Sequence, residues 1–234
     1  MGWLSLMFQR LSNPFREFGA LAGFLYVIDR ALSRLSPQWH LRVYELMVQP
    51  ISDKPLLPRQ FAQLEVREIE AGDPAIALMP VRPEVLQARH AQNATCLGAF
   101  KKDVLIGYMW FCLGSYREDE VRCTYVLDAI DESVFDFDFF LFPEFRMGTG
   151  FVGLWNGANQ FLHRRGIRYT FSRLTRFNIA SRRAHRHLGW KIVGRALFLQ
   201  MGRIEVMIAT LFPYLWASLG KRVRINLRPN VLQA

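Results

Sequence analysis

The sequence predicts an α/β fold, and three observations carry that expectation. From residue 64 onward, short apolar runs alternate with stretches of helical spacing. One run, VFDFDFFLF (134–142), leads into Gly148-Thr149-Gly150, a glycine turn that opens a helix. Another, IRYTFSRL (167–174), leads into an Asn-started helix that Leu188-Gly189-Trp190 closes. With 234 residues and 51% hydrophobic content, the chain can bury a full core. The natural expectation is one domain with an extension.

The first 60 residues read as that extension. GALAGFLYVIDRALSRL has apolar residues at 21, 24, 25, 28, 32 and 35, a helical pattern. Its apolar run from Phe18 to Ile28 falls well short of the ~20 residues a bilayer span requires. Arg16, Arg30 and Arg34 flank it, with Trp39 nearby. That composition suits either a helix lying in a membrane interface or one packed on the main domain. Pro37, Pro50, Pro55 and Pro58 then punctuate a connector, so the expected units are 1–60, 61–205 and 206–234.

Within the central unit, LEVREI (64–69) alternates like a first strand, and Asp73-Pro74 is an N-cap followed by a first-turn proline. Pro83 starts a short helix through Ala91. Residues 96–114 are two apolar runs joined at Lys101-Lys102-Asp103, a hairpin signal, and VRCTYVL (121–127) reads as another strand. Gly166 ends the helix that begins at Phe151, and KIVGRALFLQM (191–201) is a further strand. The tail from Val206 is apolar and then basic, readable as a last strand or as a second membrane-facing helix.

The net charge of +10 is unevenly distributed. Residues 1–145 carry 14 Lys/Arg against 19 Asp/Glu, whereas residues 146–234 carry 16 against Glu205 alone. A one-signed half of this kind meets a polyanion: a cofactor's phosphates, an acidic acyl carrier protein, an anionic membrane surface or nucleic acid. No nucleic-acid-binding module is recognisable. Cys96, Cys112 and Cys123 show no CxxC pair and no metal spacing, so the expectation is free thiols and no metal. Nothing resembles a cleavable signal peptide, which fits a cytoplasmic setting.

The two signatures together resemble the GNAT superfamily of acyl-CoA N-acyltransferases. Its turn is Gln/Arg-x-x-Gly-x-Gly/Ala between a strand and a helix. Its later signature is Asn-x-x-Ala/Ser, then Tyr at the seventh position after the Asn, then Leu-Gly-Phe. Gly148-Thr149-Gly150 match the turn, and Asn178, Ser181, Leu188, Gly189 and Trp190 fall on the second signature with matching spacing. Phe145 stands where Gln or Arg is usual unless Arg146 replaces it, and His185 stands at the Tyr position. The close match covers roughly a quarter of the chain.

The resemblance implies a mixed, mostly antiparallel central sheet flanked by helices, with acetyl-CoA or another acyl-CoA slotted between two splayed strands. It implies that backbone near Leu141 and Phe142 pairs with the pantetheine arm and polarises the thioester. Arg146, Gly148, Thr149 and Gly150 would hold the pyrophosphate, and Asn178 and Ser181 would approach the arm. The aligned Tyr protonates the leaving thiolate, a step that an imidazolium at His185 could perform. Asp136 and Asp138 alternate with Phe135, Phe137 and Phe139, so both are expected on one strand face as candidate general bases. The alternative for this pair is a structural ion pair, with Arg122 as the partner considered. The Glu118–Glu120 run reads either as a cation-binding patch or as a solvated loop.

Three functions remain open on this reading. The first is an N-acyltransferase acting on a primary amine. The whole chain looks like bacterial members associated with envelope polysaccharide genes, which implies an amino-sugar or lipid-linked sugar acceptor at the inner membrane face. The second is a long-chain acyltransferase that uses an acyl carrier protein. The third is a non-catalytic, membrane-peripheral scaffold on the same fold, since fold alone does not set function.

Overall fold

A computed structural model describes residues 14–55, 64–146 and 149–229. In chain order its strands are β1 (Trp39–Pro50), β2 (Glu65–Ile69), β3 (Thr95–Lys101), β4 (Val104–Leu113), β5 (Ser115–Arg117) and β6 (Cys123–Leu127). There follow β7 (Ser133–Leu141), β8 (Tyr169–Thr175), β9 (Lys191–Met201), β10 (Ile204–Ala209), β11 (Leu215–Leu219) and β12 (Val223–Leu227). The helices are α1 (Ala20–Leu35), α2 (Pro83–His90), α3 (Gly150–Arg164) and α4 (Ile179–His187). The strands form a nine-stranded sheet in the order β11-β10-β9-β1-β8-β7-β4-β3-β2 and a three-stranded sheet in the order β12-β6-β5. Neighbours in the large sheet run antiparallel except β7 and β8. The expected mixed, mostly antiparallel α/β architecture is therefore present.

Each face of the large sheet has its own core. On one side Leu154, Trp155, Ala158 and Leu162 of α3 pack with Met47, Leu97, Phe111 and Val134. On the other, Tyr44, Trp110, Phe135, Phe137 and Phe171 meet Tyr125, Val223, Ile225 and Leu227 of the small sheet. Helix α3 approaches β2 closely because it presents glycines four residues apart. A Cβ on Gly153 would stand 2.3 Å from Leu64 Cδ2, and one on Gly157 would stand 2.3 Å from Val66 Cγ2.

The N-terminal unit differs from the expectation. Helix α1 forms, but Trp39–Pro50 is a strand at the middle of the sheet rather than a connector. It pairs with β8 from Tyr44–Thr175 to Pro50–Tyr169, and with β9 along its other edge. A strand covered on both faces loses its polar–apolar alternation, and the flanking prolines disguised it further. The boundary expected at residue 60 falls outside the described residues. Because β1 belongs to the same sheet as β2–β4, residues 39–50 are not separate from the central unit.

The tail resolves as strand. Ile204–Ala209 extends the large sheet, β11 forms its edge, and β12 runs parallel to β6 with Val223, Ile225 and Leu227 inward. The helical reading of the tail is thereby corrected. Strand 121–127 is also placed in the small sheet rather than the large one. No helix among the described residues is long and apolar enough to cross a membrane. Cys96, Cys112 and Cys123 are buried free thiols.

Candidate active site

Strands β7 and β8 start side by side and then part. Their parallel pairing runs from Ser133–Tyr169 to Asp136–Ser172 and stops there. Beyond that point β7 pairs with β4 alone, as far as Leu141–Gly107. The register of β7 on β4 slips between Tyr108 and Trp110, opposite Asp138, whose φ is +50°. This is a β-bulge, with one extra residue in β7 that bends the strand away from its neighbour.

The bulge reverses which residues face which core. Phe135 and Phe137 lie in the core of the small-sheet side, whereas Val134, Phe139 and Leu141 lie with α3. Asp136 bonds Thr170 at 2.8 Å, while Asp138 reaches Arg89 at 2.5 Å, a residue stacked over Trp110 and Phe137 of the small-sheet core. The expectation that Asp136 and Asp138 share one face is therefore wrong. Strand alternation holds only until an extra residue is inserted.

The same geometry sorts the backbone groups. The Phe142 N–H donates to the Ile106 carbonyl at 3.1 Å, so it faces β4 and not the split, contrary to expectation. By the alternation of an antiparallel ladder, Phe139 and Leu141 then direct their amides toward the split. The Leu141 carbonyl already accepts from Arg146 Nε at 2.9 Å.

A charged network lines the small-sheet side of the split. Arg89 on α2, with its side chain 7% exposed, holds Asp138 and stands 4.0 Å from Asp119. Glu118 is fully buried and accepts two bonds from Arg173 of β8, at 2.7 and 2.8 Å. Arg173 also lies 3.3 Å from Glu120, which accepts from the Tyr44 hydroxyl at 2.5 Å. Burial, reinforced by neighbouring Glu118, raises the pKa of Asp119 above the usual carboxylate range. The solvated-loop reading of 118–120 is corrected, since Glu118 is an anchor. The partner of Asp138 is Arg89 rather than Arg122, which instead pairs with Glu205. Arg89 and Arg173 were missed; the signal for Arg173 was a lone arginine inside the apolar strand YTFSRLT.

Asp136 sits at the apex, where pairing ends, and is 3% exposed. Burial pushes its carboxyl up to about 7 against the opposing bonds from Thr170 and Ser172. It is an acid held in a nearly dry environment, without a cationic partner among its hydrogen-bond neighbours.

The first turn of α3 has the properties expected of an anion site. Thr149 is its N-cap, no side chain caps its amides, and no acid lies in the turn. The opening amides of a helix lack intrahelical partners and lie at its positive dipole end. Arg146 is close in sequence, although its Nε is engaged by Leu141. Gly150 serves packing: a Cβ there would stand 3.2 Å from the Phe145 carbonyl oxygen and 3.5 Å from both Ile106 and Leu141. Gly148 lies outside the described residues.

Asn178 caps α4, its Oδ1 accepting from the Ser181 N–H at 3.0 Å. Ser181 lies one turn before His185, and the Ser181 carbonyl is 2.7 Å from His185 Nδ1. His185 is 3% exposed and packed edge-on against Phe151, Trp155 and Trp190, with Trp155 stacked between it and Phe139. Burial lowers its pKa from the ordinary histidine value, against the opposing bond to the Ser181 carbonyl. That environment disfavours the imidazolium form on which the expected role as an acid depends.

No protein-family model and no curated protein matches the chain. Among solved structures, a conserved protein of unknown function from Staphylococcus epidermidis ATCC 12228 is similar at 16% identity, over 72% of this chain and 64% of its own, with a TM-score of 0.48. A GCN5-related N-acetyltransferase from Sphaerobacter thermophilus is similar at 14% identity over 74% and 55%, with a TM-score of 0.47. A GCN5-related N-acetyltransferase from Kribbella flavida is similar at 12% identity over 74% and 63%, with a TM-score of 0.43. The chain spans less than two thirds of the length of each of these.

Proposed function

We propose that this protein is an acyl-CoA-dependent N-acyltransferase, with acetyl-CoA as donor and a primary amine as acceptor. The observation that carries the reading is the parting of β7 and β8 beyond Asp136–Ser172, with the bulge at Asp138 turning backbone amides into the gap. A split of this kind admits an extended arm between two strands, and free strand edges bind such arms through their main chain. The phosphate end would lie at the N-terminus of α3, near Thr149 and Arg146.

In this reading the acceptor's ammonium gives up a proton to Asp138, whose carboxylate Arg89 holds in place. The freed amine attacks the thioester carbonyl carbon. The amide bond forms and the carbon–sulfur bond breaks, and the second proton released by the nitrogen passes to the departing sulfur, so the donor's remainder leaves as its thiol. The Phe139 and Leu141 amides stabilise the oxyanion while charge develops on it. The energetic requirement on such a donor group is a few kcal/mol, about 3–4 for one oxyanion-hole hydrogen bond.

A second reading, a non-catalytic scaffold on the same fold, is favoured by one observation: Arg146 already occupies the Leu141 carbonyl that faces the split. Thermal unfolding with acetyl-CoA, a long-chain acyl-CoA and free CoA separates the two. A ligand at ~100 times its dissociation constant stabilises the fold by ~2.7 kcal/mol. A shift with acetyl-CoA is the expected result. A shift with the long chain alone would move the donor to a carrier-type acyl group, and no shift with any of them would sink the enzyme reading.

A further inference from the structure

An open groove of about 640 Å³ lies between α2 and the segment Arg117–Asp119, on the small-sheet side. Three arginines line it, Arg82, Arg117 and Arg222, together with Glu84 and Asp119. Arg222 is fixed in place, because its Nη1 donates to the carbonyls of Glu118, Val121 and Cys123. The Arg117 amide is tied to Gln92 at 2.8 Å, which fixes that wall against the segment after α2. Arg82 and Arg117 are exposed and make no ion pair among the described residues, so their guanidinium groups remain for a ligand.

The groove leads to the chemistry. Asp119 lines it, and the Asp119 carboxylate stands 4.0 Å from Arg89, which in turn holds Asp138 at the bulge. A ligand lying along it therefore meets the carboxylates of Glu84 and Asp119 as well as the guanidinium groups of Arg82, Arg117 and Arg222. An acceptor that is only a cation uses the first and is repelled by the second. An acceptor that is only an anion has the reverse problem. Planar guanidinium forks match the oxygen spacing of phosphate, and three of them suit a dianion better than a singly charged carboxylate.

We infer that the groove binds a phosphorylated primary amine, with its ammonium toward Asp119, the side that Arg89 joins to Asp138, and its phosphate between Arg82, Arg117 and Arg222. This names the acceptor class of the N-acyltransferase proposed above and rests on that reading for its catalytic meaning, but not for the binding itself. A volume of this size accommodates a small metabolite and leaves room for a larger group beyond the phosphate.

The test is calorimetric titration of the full chain with a matched pair, O-phosphoethanolamine and ethanolamine, at fixed ionic strength. The phosphorylated amine should bind at least tenfold more tightly. The double variant Arg82→Ala/Arg117→Ala should lose that preference while binding ethanolamine at least as tightly as before, since two repelling cations are gone. Its thermal shift with acetyl-CoA should also persist, because neither arginine belongs to the split or to the buried network. Equal binding of the two amines, or a preference untouched by the double variant, would overturn the inference. Phosphoethanolamine binding without a shift from acetyl-CoA, the long-chain acyl-CoA or free CoA would leave the groove assignment standing and remove the acyl-transfer reading, so the two failures are distinguishable.

Discussion

Arg89, on the last turn of α2, donates from Nη1 to Asp138 Oδ2 at 2.5 Å, and so ties the helix layer to the one residue of β7 that has left-handed backbone geometry. An aspartate tolerates that conformation better than most residues, and the bulge turns its carboxylate away from Asp136. The contact links the groove beside α2, through Asp119, to the place where the strands part.

If Asp138 takes the proton, Asp138→Asn should lower kcat by ~100- to 10,000-fold, the usual contribution of a positioned base. The Asn Oδ1 still accepts from Arg89, so the fold should hold, although the melting temperature should fall because the nearly buried guanidinium loses its charge partner. Steady-state kinetics beside thermal unfolding check both halves. Retained turnover would remove Asp138 from the chemistry.

Asp136 predicts an unusual pH dependence of stability. Its folded pKa, about 7, lies above the ordinary 3.8, so folding favours the protonated form. The stabilisation associated with that proton is fully present below the unfolded value and is lost as pH rises through about 7, at ~1.4 kcal/mol for each unit of separation. Melting temperature should fall between pH 5 and pH 8, and Asp136→Asn should flatten that fall. Parallel slopes for the two proteins would show that Asp136 does not titrate in this range.

His185 should matter for packing and not for proton transfer. His185→Phe keeps the aromatic contacts with Phe151, Trp155 and Trp190 and loses only the polar bond to Ser181, so kcat should stay within about threefold. His185→Ala should instead destabilise by ~3 kcal/mol through the cavity it leaves. A Phe variant that folds normally but has lost turnover would restore His185 to the mechanism.

Gly157 should resist substitution more than Gly153. At Gly157 an added Cβ meets Val66 at Cγ2, Cβ and Cγ1, all within 2.9 Å, and a β-branched side chain in a strand cannot swing away. At Gly153 the near atom is the tip of Leu64. Gly157→Ala should therefore cost ~1–3 kcal/mol of overpacking, partly offset by ~1 kcal/mol of helix propensity, whereas Gly153→Ala should be close to neutral. Chemical denaturation of the two variants measures the difference.

Buried charge in the loop 118–120 gives a further measurement. Removing one partner of the Glu118–Arg173 pair leaves the other uncompensated in the core. Glu118→Ala should cost ~3–5 kcal/mol and lower the melting temperature accordingly. A loss below ~1 kcal/mol, the value of an exposed pair, would show that water reaches the site.

What the sequence by itself determined was local. The α1 helix, the 96–114 hairpin, the strand into the α3 turn and the Asn178 cap are each written in a few consecutive residues. Hydrophobic period, glycine position and capping chemistry act over one or two turns, so they can be read without knowing what lies opposite. Tertiary structure decided whatever depends on a partner distant in sequence. Trp39–Pro50 became a central strand because β8 and β9 cover both of its edges, which no local alternation announces. Asp136 and Asp138 were separated by a bulge that exists only against β4. His185 was buried against Phe151, Trp155 and Trp190, and Arg89 and Arg173 acquired their roles from acids 30 to 55 residues away. Desolvation and ion pairing are properties of the assembled surroundings, so a residue's type sets what it can do and its neighbours in space set what it does.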